Sequence, residues 1–393
     1  MNKTVIQETA RTNSTFSSIG SPAVASSPKP THTARKSRNS KSLRFLCINF
    51  QSAKKKAKHI PTLVESARPD VILGTETWLS KDVNSSEIFD ESLGFDVYRN
   101  DRADNTHGRV LIAVKKELNV TDVKCSKTVE LISGSIQTKS KKIVFSSYYR
   151  PPGRTDEAYL ESSRTGFLKL KADNKRAIIV IGGDFNVPDI SWKDNTITSS
   201  KHYAKKVSQH YLDIASDLGA EQMVSFPTRK DNTLGLVLTS HPGFSERCKP
   251  LPPITEKSDH DIVLFDLAMQ PIRARPKRRT IYLWKKANTD GIKKALADYG
   301  QSFLSRTFST TADMWADFKS TIENVTQEFV PTRRTLAKHT HPWIDSHLRK
   351  LTRRRYRAFK KARRTNSPVD WSRYTKLRAQ TEEDTSISSE VHV

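Results

Sequence analysis

The residues best equipped for chemistry lie in Ala177-Ile-Ile-Val-Ile-Gly-Gly-Asp-Phe-Asn-Val-Pro188. Asp184 and Asn186 stand two apart after a β-branched run, and on an extended segment such residues point to one face. A carboxylate and an amide presented together at the end of a buried strand suit a phosphodiester and its metal ion. Gly182-Gly183 let the backbone turn there and approach another group closely. Comparable polar residues punctuate the rest of the chain. Asn49 ends the first apolar run, Glu76 sits in Leu73-Gly-Thr-Glu-Thr-Trp78, and Tyr149 in Ser147-Tyr-Tyr-Arg-Pro-Pro152. Ser258-Asp259-His260 precedes the last run, and Asp101-Arg102 leads into Asn105-Thr-His-Gly108. Singly, these read as a rim carboxylate, a core-edge tyrosine or a surface histidine. In this order, each beside a strand, they point to one site.

The elements that must position them are short apolar runs. Residues 43–50, 71–78, 95–99, 110–114, 129–137, 142–149, 177–182, 233–239 and 262–267 read as strands. Helical spacing of apolar residues appears at 57–67, 157–172 and 203–218. Many strands with a few helices outside them predict two packed sheets flanked by helices, a four-layer α/β sandwich. Residues 289–305, 311–329 and 344–364 read as helices of a basic C-terminal extension. The expected domains are a disordered Ser/Thr/Pro-rich basic tail (1–42), the sandwich (43–269), a basic linker (270–288), the helical extension (289–380) and a disordered tail (381–393). An amphipathic stripe is missing from 1–42, which weighs against a transit peptide.

The formal net charge of +25 over 393 residues favours a polyanionic partner such as nucleic acid. It is unevenly placed: residues 271–393 carry 27 Lys/Arg against 12 Asp/Glu, while residues 43–270 carry 33 against 29. Cys47, Cys125 and Cys248 have no CxxC spacing, which argues against a disulfide framework or a zinc site. No apolar run is long enough to span a bilayer. The chain is therefore expected to be soluble and intracellular, with no membrane partner and no small-molecule cofactor.

The order Asn49, Glu76, Tyr149, Asp184-Phe-Asn186, Ser258-Asp259-His260 resembles the endonuclease/exonuclease/phosphatase (DNase I-like) superfamily. Thr75-Glu-Thr-Trp78, Tyr149-Arg-Pro-Pro152, Gly182-Gly-Asp-Phe-Asn186 and Phe226-Pro-Thr-Arg229 are similar to endonuclease domains of non-LTR retrotransposons. The resemblance covers about residues 43–269. It continues weakly through Tyr282-Leu-Trp-Lys-Lys286 and His341-Pro-Trp-Ile-Asp-Ser-His-Leu-Arg-Lys350, which resemble the segment before the reverse transcriptase. No Tyr/Phe-Ala-Asp-Asp polymerase box follows, so the polymerase is expected to be absent.

The resemblance implies a Mg²⁺-dependent endonuclease (Mn²⁺ as substitute) that nicks one strand of a DNA duplex to prime reverse transcription. It implies Glu76, Asp259 and Asn49 as metal ligands, and Asn186 and Tyr149 as donors to phosphate oxygens. Asp184 would orient or deprotonate the attacking water, and His260 would act either as base or as charged donor. Arg102 and Arg150 are expected at backbone phosphates, which position a duplex without reading it. RNA is a second candidate partner for the basic C-terminal helix, and the nucleus is the expected location.

One departure stands out. Where the family carries an aspartate that orients the histidine, this chain reads Leu234-Gly-Leu236, so Gly235 occupies the position. By analogy with a protease triad, that loss costs up to about 10⁴-fold in rate. Asp231 and Asp261 are candidate substitutes that spacing does not separate. The alternatives to an impaired endonuclease are a catalytically inactive nucleic-acid-binding relic and, less favoured, a phosphatase of the same superfamily.

Overall fold

Runs that are apolar at every position, rather than at alternate ones, ask for strands covered on both faces. The computed structural model describes residues 42–101, 107–274, 279–335, 341 and 343–390, all within one compact unit, Ser40–Val393. One mixed sheet holds β1 (Leu43–Asn49), β2 (Val71–Thr75), β3 (Phe95–Asn100), β4 (Val110–Lys115), β13 (Ser245–Leu251) and β14 (Ile262–Leu267). Its spatial order is β13-β14-β1-β2-β4-β3. The other holds β5 (Thr121–Cys125), β6 (Glu130–Gln137), β7 (Lys142–Tyr149), β8 (Ile178–Asp184), β11 (Glu221–Gln222) and β12 (Gly235–Thr239). There the order is β11-β12-β8-β7-β6-β5. A two-residue hairpin, β9 (Ile190–Ser191) with β10 (Thr196–Ile197), lies between β8 and β11 in sequence.

Strand alternation sorts the side chains into layers. Phe45, Leu73, Ile112, Phe145, Val180 and Phe265 form the core between the sheets. Neighbouring residues on the same strands face outward. Ile179 and Ile181 meet helices α3 (Glu157–Asp173) and α4 (Lys205–Leu218), and Leu46 and Ile72 meet α1 (Ile60–Ala67) and the single turn α2 (Ser85–Ile88). This is the four-layer sandwich that the strand pattern predicted.

Each sheet contains one parallel pair, and these pairs matter most for function. β1 runs parallel to β2, which sets Asn49 opposite Thr75. β7 runs parallel to β8, which sets Tyr149 opposite Asp184. Four of the expected residues thus issue from, or directly follow, the C-terminal ends of two parallel pairs.

Several expectations need correction. The chain does not turn at Gly182-Gly183, since β8 continues through Asp184. The glycines serve close approach instead. A Cβ at Gly182 would run into Cys47 and Leu73 of the facing sheet, and one at Gly183 into the Tyr148 carbonyl. The sequence reading missed edge strands β5 and β13, both rich in exposed polar residues; β13 also contains Pro250, as tolerated at an edge. Part of the expected linker forms β15 (Arg279–Tyr282), paired with β16 (Thr332–Thr335) around the hairpin of α5 (Thr289–Phe303) and α6 (Thr311–Phe329). The supposedly shapeless residues 381–390 complete α8 (Pro368–Glu390), which packs along α7 (Ser346–Thr365) with Thr381 and Thr385 buried. Residues 1–41 lie outside the described residues.

Candidate active site

Asp184, last residue of β8, is 2% exposed, yet its Oδ1 has no hydrogen-bond partner. Its Oδ2 accepts a hydrogen bond from Asn49 Nδ2 at 2.9 Å, and the same nitrogen donates to Glu76 Oε1 at 2.8 Å. One neutral amide from the first sheet therefore sits between two carboxylates, one from each sheet. Tyr149 stands across the register from Asp184, and Glu76 and Asp184 both act electrostatically on its phenol. His260 Nε2 lies 4.0 Å from Asp184 Oδ2 and 3.8 Å from Asp259 Oδ1. Residues scattered from 49 to 260 thus meet at one rim of the sandwich.

The electrostatics of this cluster are unfavourable as it stands. Burial pushes the Glu76 carboxyl above its ordinary range, against the Asn49 hydrogen bond, and the Asp184 charge raises it further. Burial, with Glu76 and Asp184 beside it, also holds the Tyr149 phenol protonated. Left-handed backbone angles at non-glycine residues gather here as well: Gln51 (φ 42°), Ser52 (φ 80°), Glu76 (φ 48°), Trp78 (φ 54°) and Asn186 (φ 52°). Such conformations cost energy and persist where the surrounding structure imposes them, often at functional sites.

Other expected roles change on inspection. Asn49 turns its nitrogen to the carboxylates and its Oδ1 to the Gln51 backbone N–H (3.2 Å), so it spaces the carboxylates instead of offering them a third oxygen. Asp259 is 41% exposed on its side chain and has both oxygens engaged. Oδ1 accepts from Gln51 Nε2 at 2.6 Å and Oδ2 from Arg229 Nε at 2.7 Å. Burial opposes its ionisation, but His260 and Arg229 hold it below the ordinary value. Asn186 spends an amide hydrogen on the Arg150 carbonyl at 2.9 Å, leaving its second N–H for another acceptor.

Arg150 is no phosphate contact. It is fully buried, its guanidinium donating to the carbonyls of Phe185 (2.9 Å), Asn186 and Arg154 (3.0 Å) and lying over the Tyr203 ring. It fastens the turn after β8. Arg102 lies outside the described residues, while Asp101 beside it pairs with Arg99.

Gly235, the departure from the family pattern, stands in register opposite Asp184, so a side chain there would share Asp184's face of the sheet. A Cβ would meet only Thr228 at 3.5–3.6 Å, an ordinary contact. Asp261 pairs with Arg363 and Asp231 is exposed on a turn, while the carboxylates beside His260 Nε2 are those of Asp184 and Asp259.

Sequence reasoning assigned no role to four residues that shape this rim. Thr228 Oγ1 accepts from the backbone of Leu234 and Gly235, and its carbonyl from that of Asp261, which ties β12 to the histidine loop. Gln51 and Arg229 hold Asp259. Lys56 is almost fully buried, donates to the carbonyls of Phe50 and Gln51, and is lowered to about 8 by burial, against the pull of Glu76. The motif Phe226-Pro-Thr-Arg229 was legible; the buried lysine had no sequence signal.

Hard oxygens dominate this cluster, and two carboxylates share one amide donor, which suits a divalent cation that keeps most of its waters. Among the described residues, no group of three or more His, Cys, Asp or Glu encloses a metal position. Glu76 and Asp259 each keep carboxylate lone pairs beyond the hydrogen bonds they accept.

With the geometry described, sequence comparison bears on kinship. Residues 143–264 match the family model described as endonuclease-reverse transcriptase, a span that contains Tyr149, Asp184, Gly235 and His260. Solved structures similar to this chain include the endonuclease domain of TRAS1, a telomere-specific non-LTR retrotransposon, at 18% identity and TM-score 0.43, covering 58% of this chain and 99% of that one. The AP endonuclease LMAP from Leishmania major matches at 15% identity and TM-score 0.46 over 58% of this chain and 88% of that one. The 3′ phosphatase NExo from Neisseria, bound to product DNA hairpin, matches at 14% identity and TM-score 0.45 over 57% of this chain and 99% of that one. No curated protein matches in sequence. Among the described residues, no helix is long and apolar enough to cross a membrane.

Proposed function

We propose that this chain is a divalent-metal-dependent DNA endonuclease that hydrolyses one strand to a 3′-hydroxyl able to prime reverse transcription. The observation that carries this reading is the single cluster of Asn49, Glu76, Tyr149, Asp184 and His260, drawn from both sheets. Asp184, held by Asn49 through one oxygen and open at the other, orients the attacking water and takes its proton. Tyr149, kept protonated, and the spare N–H of Asn186 donate to phosphate oxygens where negative charge grows. His260, beside Asp184 and Asp259 at the same rim, serves as a hydrogen-bond donor to the same phosphate. Glu76 would hold Mg²⁺ or Mn²⁺, which supplies Lewis-acid stabilisation of the developing charge. Residues 43–269 are taken as the nuclease domain and the basic regions as its nucleic-acid and nuclear-targeting elements.

A second reading, a non-catalytic DNA-binding relic, is favoured by one observation. The carboxylates at His260 Nε2 stand 3.8 and 4.0 Å away, beyond hydrogen-bonding distance. Nicking of supercoiled plasmid by the full chain in Mg²⁺, against EDTA and Asp184→Ala controls, decides between them. The endonuclease reading predicts open circles in Mg²⁺ alone and a loss of about 10²–10⁴-fold in the variant. Binding without nicking selects the relic.

A further inference from the structure

Helix α7 divides its surface three ways. Leu351, Phe359 and Ala362 turn to α8 and join Tyr374 and Leu377 in a small core. A second stripe, spaced by seven residues, meets the nuclease domain. Arg349 Nε pairs with Glu65 of α1 at 3.1 Å, and the Tyr356 hydroxyl accepts from Lys249 of β13 at 2.8 Å. Arg363 pairs with Asp261 and donates to the Pro227 carbonyl at 3.1 Å. Asp261 follows His260 directly, so the C-terminal end of α7 is fixed at the rim of the site.

The third stripe faces neither partner. Lys350, Arg353, Arg354, Arg357, Lys360 and Arg364 recur at three- and four-residue spacing, all exposed and, among the described residues, without a carboxylate partner. Lys361, on the same side, is tied to Asp370. Had the stripe been a mere solvated helix face, alternating acids would be expected on it; none occurs between Ser346 and Thr365.

We propose that this outer face of α7 is a phosphate-binding track for duplex DNA, continuous with the catalytic rim and held in line with it by Arg349, Tyr356 and Arg363. The proposal deepens the endonuclease reading and rests on it for the identity of the bound duplex. Twenty residues of helix extend about 30 Å, so the track runs alongside about nine base pairs. A rigid track adds affinity without base readout, because cations at fixed spacing meet phosphates of any sequence.

The test is equilibrium binding of the full chain to a duplex of about 30 base pairs, in EDTA, across a salt series. Replacing Lys350, Arg354, Arg357 and Arg364 together by Gln is expected to flatten the plot of log K against log salt by about 2 to 4, at about 0.9 per lost contact. A control set, Lys127, Lys169, Lys175 and Arg176 to Gln, neutralises equally exposed cations elsewhere and leaves the slope within about 1 of wild type. Both variants melt like wild type. An unchanged slope in the first variant, an equal loss in the control, or loss confined to single-stranded RNA overturns the track. Plasmid nicking in Mg²⁺ is scored separately. A flattened slope without nicking keeps the track and removes the endonuclease; nicking with an unchanged slope does the reverse.

Discussion

At the rim of the sandwich, charge is concentrated, buried and interlocked; along the outer face of α7 it is dispersed, exposed and open. Asp184 and Glu76 share a single amide nitrogen, whereas six cations on α7 share nothing. The same residue type shows the contrast most sharply. Arg150 is sealed beneath the site as a fastener of backbone carbonyls, while Arg354 and Arg357 are left to solvent. A reacting phosphodiester requires a few groups held in fixed geometry. A duplex backbone requires only charge at tolerable spacing. The two regions therefore differ in how each answers to substitution: the rim through geometry and protonation, the helix through salt.

The largest expected effect restores what the rim lacks. Gly235→Asp adds a carboxylate beside Asp184 on a face that has room for it. If the missing orienting group limits catalysis, plasmid nicking rises, with about 10⁴-fold as the ceiling. A rate that stays at the wild-type level shows that the rim is limited elsewhere. Next in size is Arg150→Ala, which strands the carbonyls of Phe185, Asn186 and Arg154 in the interior. Loss of such buried charged hydrogen bonds costs about 3 kcal/mol or more, read from the denaturation midpoint. Neutralising α7 cations stays within about 0.5 kcal/mol. If Arg150→Ala were as mild, the distinction between fastener and contact would fail.

How much of this was written in the sequence follows from the range of the interactions. Local signals gave β7 and β14 to the residue, because β-branched and aromatic residues dominate both runs and few polar residues interrupt them. They also placed Asn49, Glu76, Tyr149 and Asp184 at or just after strand ends, where the two sheets bring them together. They did not give α8, whose polar residues become a helix only against α7; Tyr374 and Leu377 make that face. Nor did they give Arg150, because a basic residue beside Pro-Pro reads as surface until the turn after β8 closes over it. The orientations of Asn49 and Asp259 were not legible either, since which atom of an amide or carboxylate faces a neighbour is set by residues far off in the chain: Glu76 and Asp184 for Asn49, Gln51 and Arg229 for Asp259.

A smaller effect concerns the joint between the two regions. His59, buried just before α1, is lowered to about 4 by burial, with Lys58 and Arg355 of α7 adding to it. Its folded value lies below its unfolded one, so the stability it contributes is present above about pH 6.5 and lost as pH falls towards 4. On acidification from neutral pH to about 4.5, wild type should lose about 2 kcal/mol more than His59→Leu. Parallel losses in the two proteins would mean that α7 and α1 part for another reason.

The smallest effect probes the rim's own frustration. Glu76 has a folded value raised by burial and by Asp184, so its contribution to stability is present below the unfolded carboxylate range and lost as pH rises through the raised value. At neutral pH the ionised side chain therefore burdens the fold, and a bound divalent cation relieves it. Glu76→Gln removes the charge while keeping an oxygen for Asn49. In EDTA its melting temperature should exceed wild type by roughly 2 °C, and added Mg²⁺ should raise wild type but leave the variant unmoved. Because α7 contains no carboxylate after Asp345, its outer-face variants should keep the full response to Mg²⁺. A Mg²⁺ response that persists in Glu76→Gln and vanishes in the helix variants would invert the assignment of the two regions, with the metal acting at the basic face through bound anions and not at the carboxylate rim.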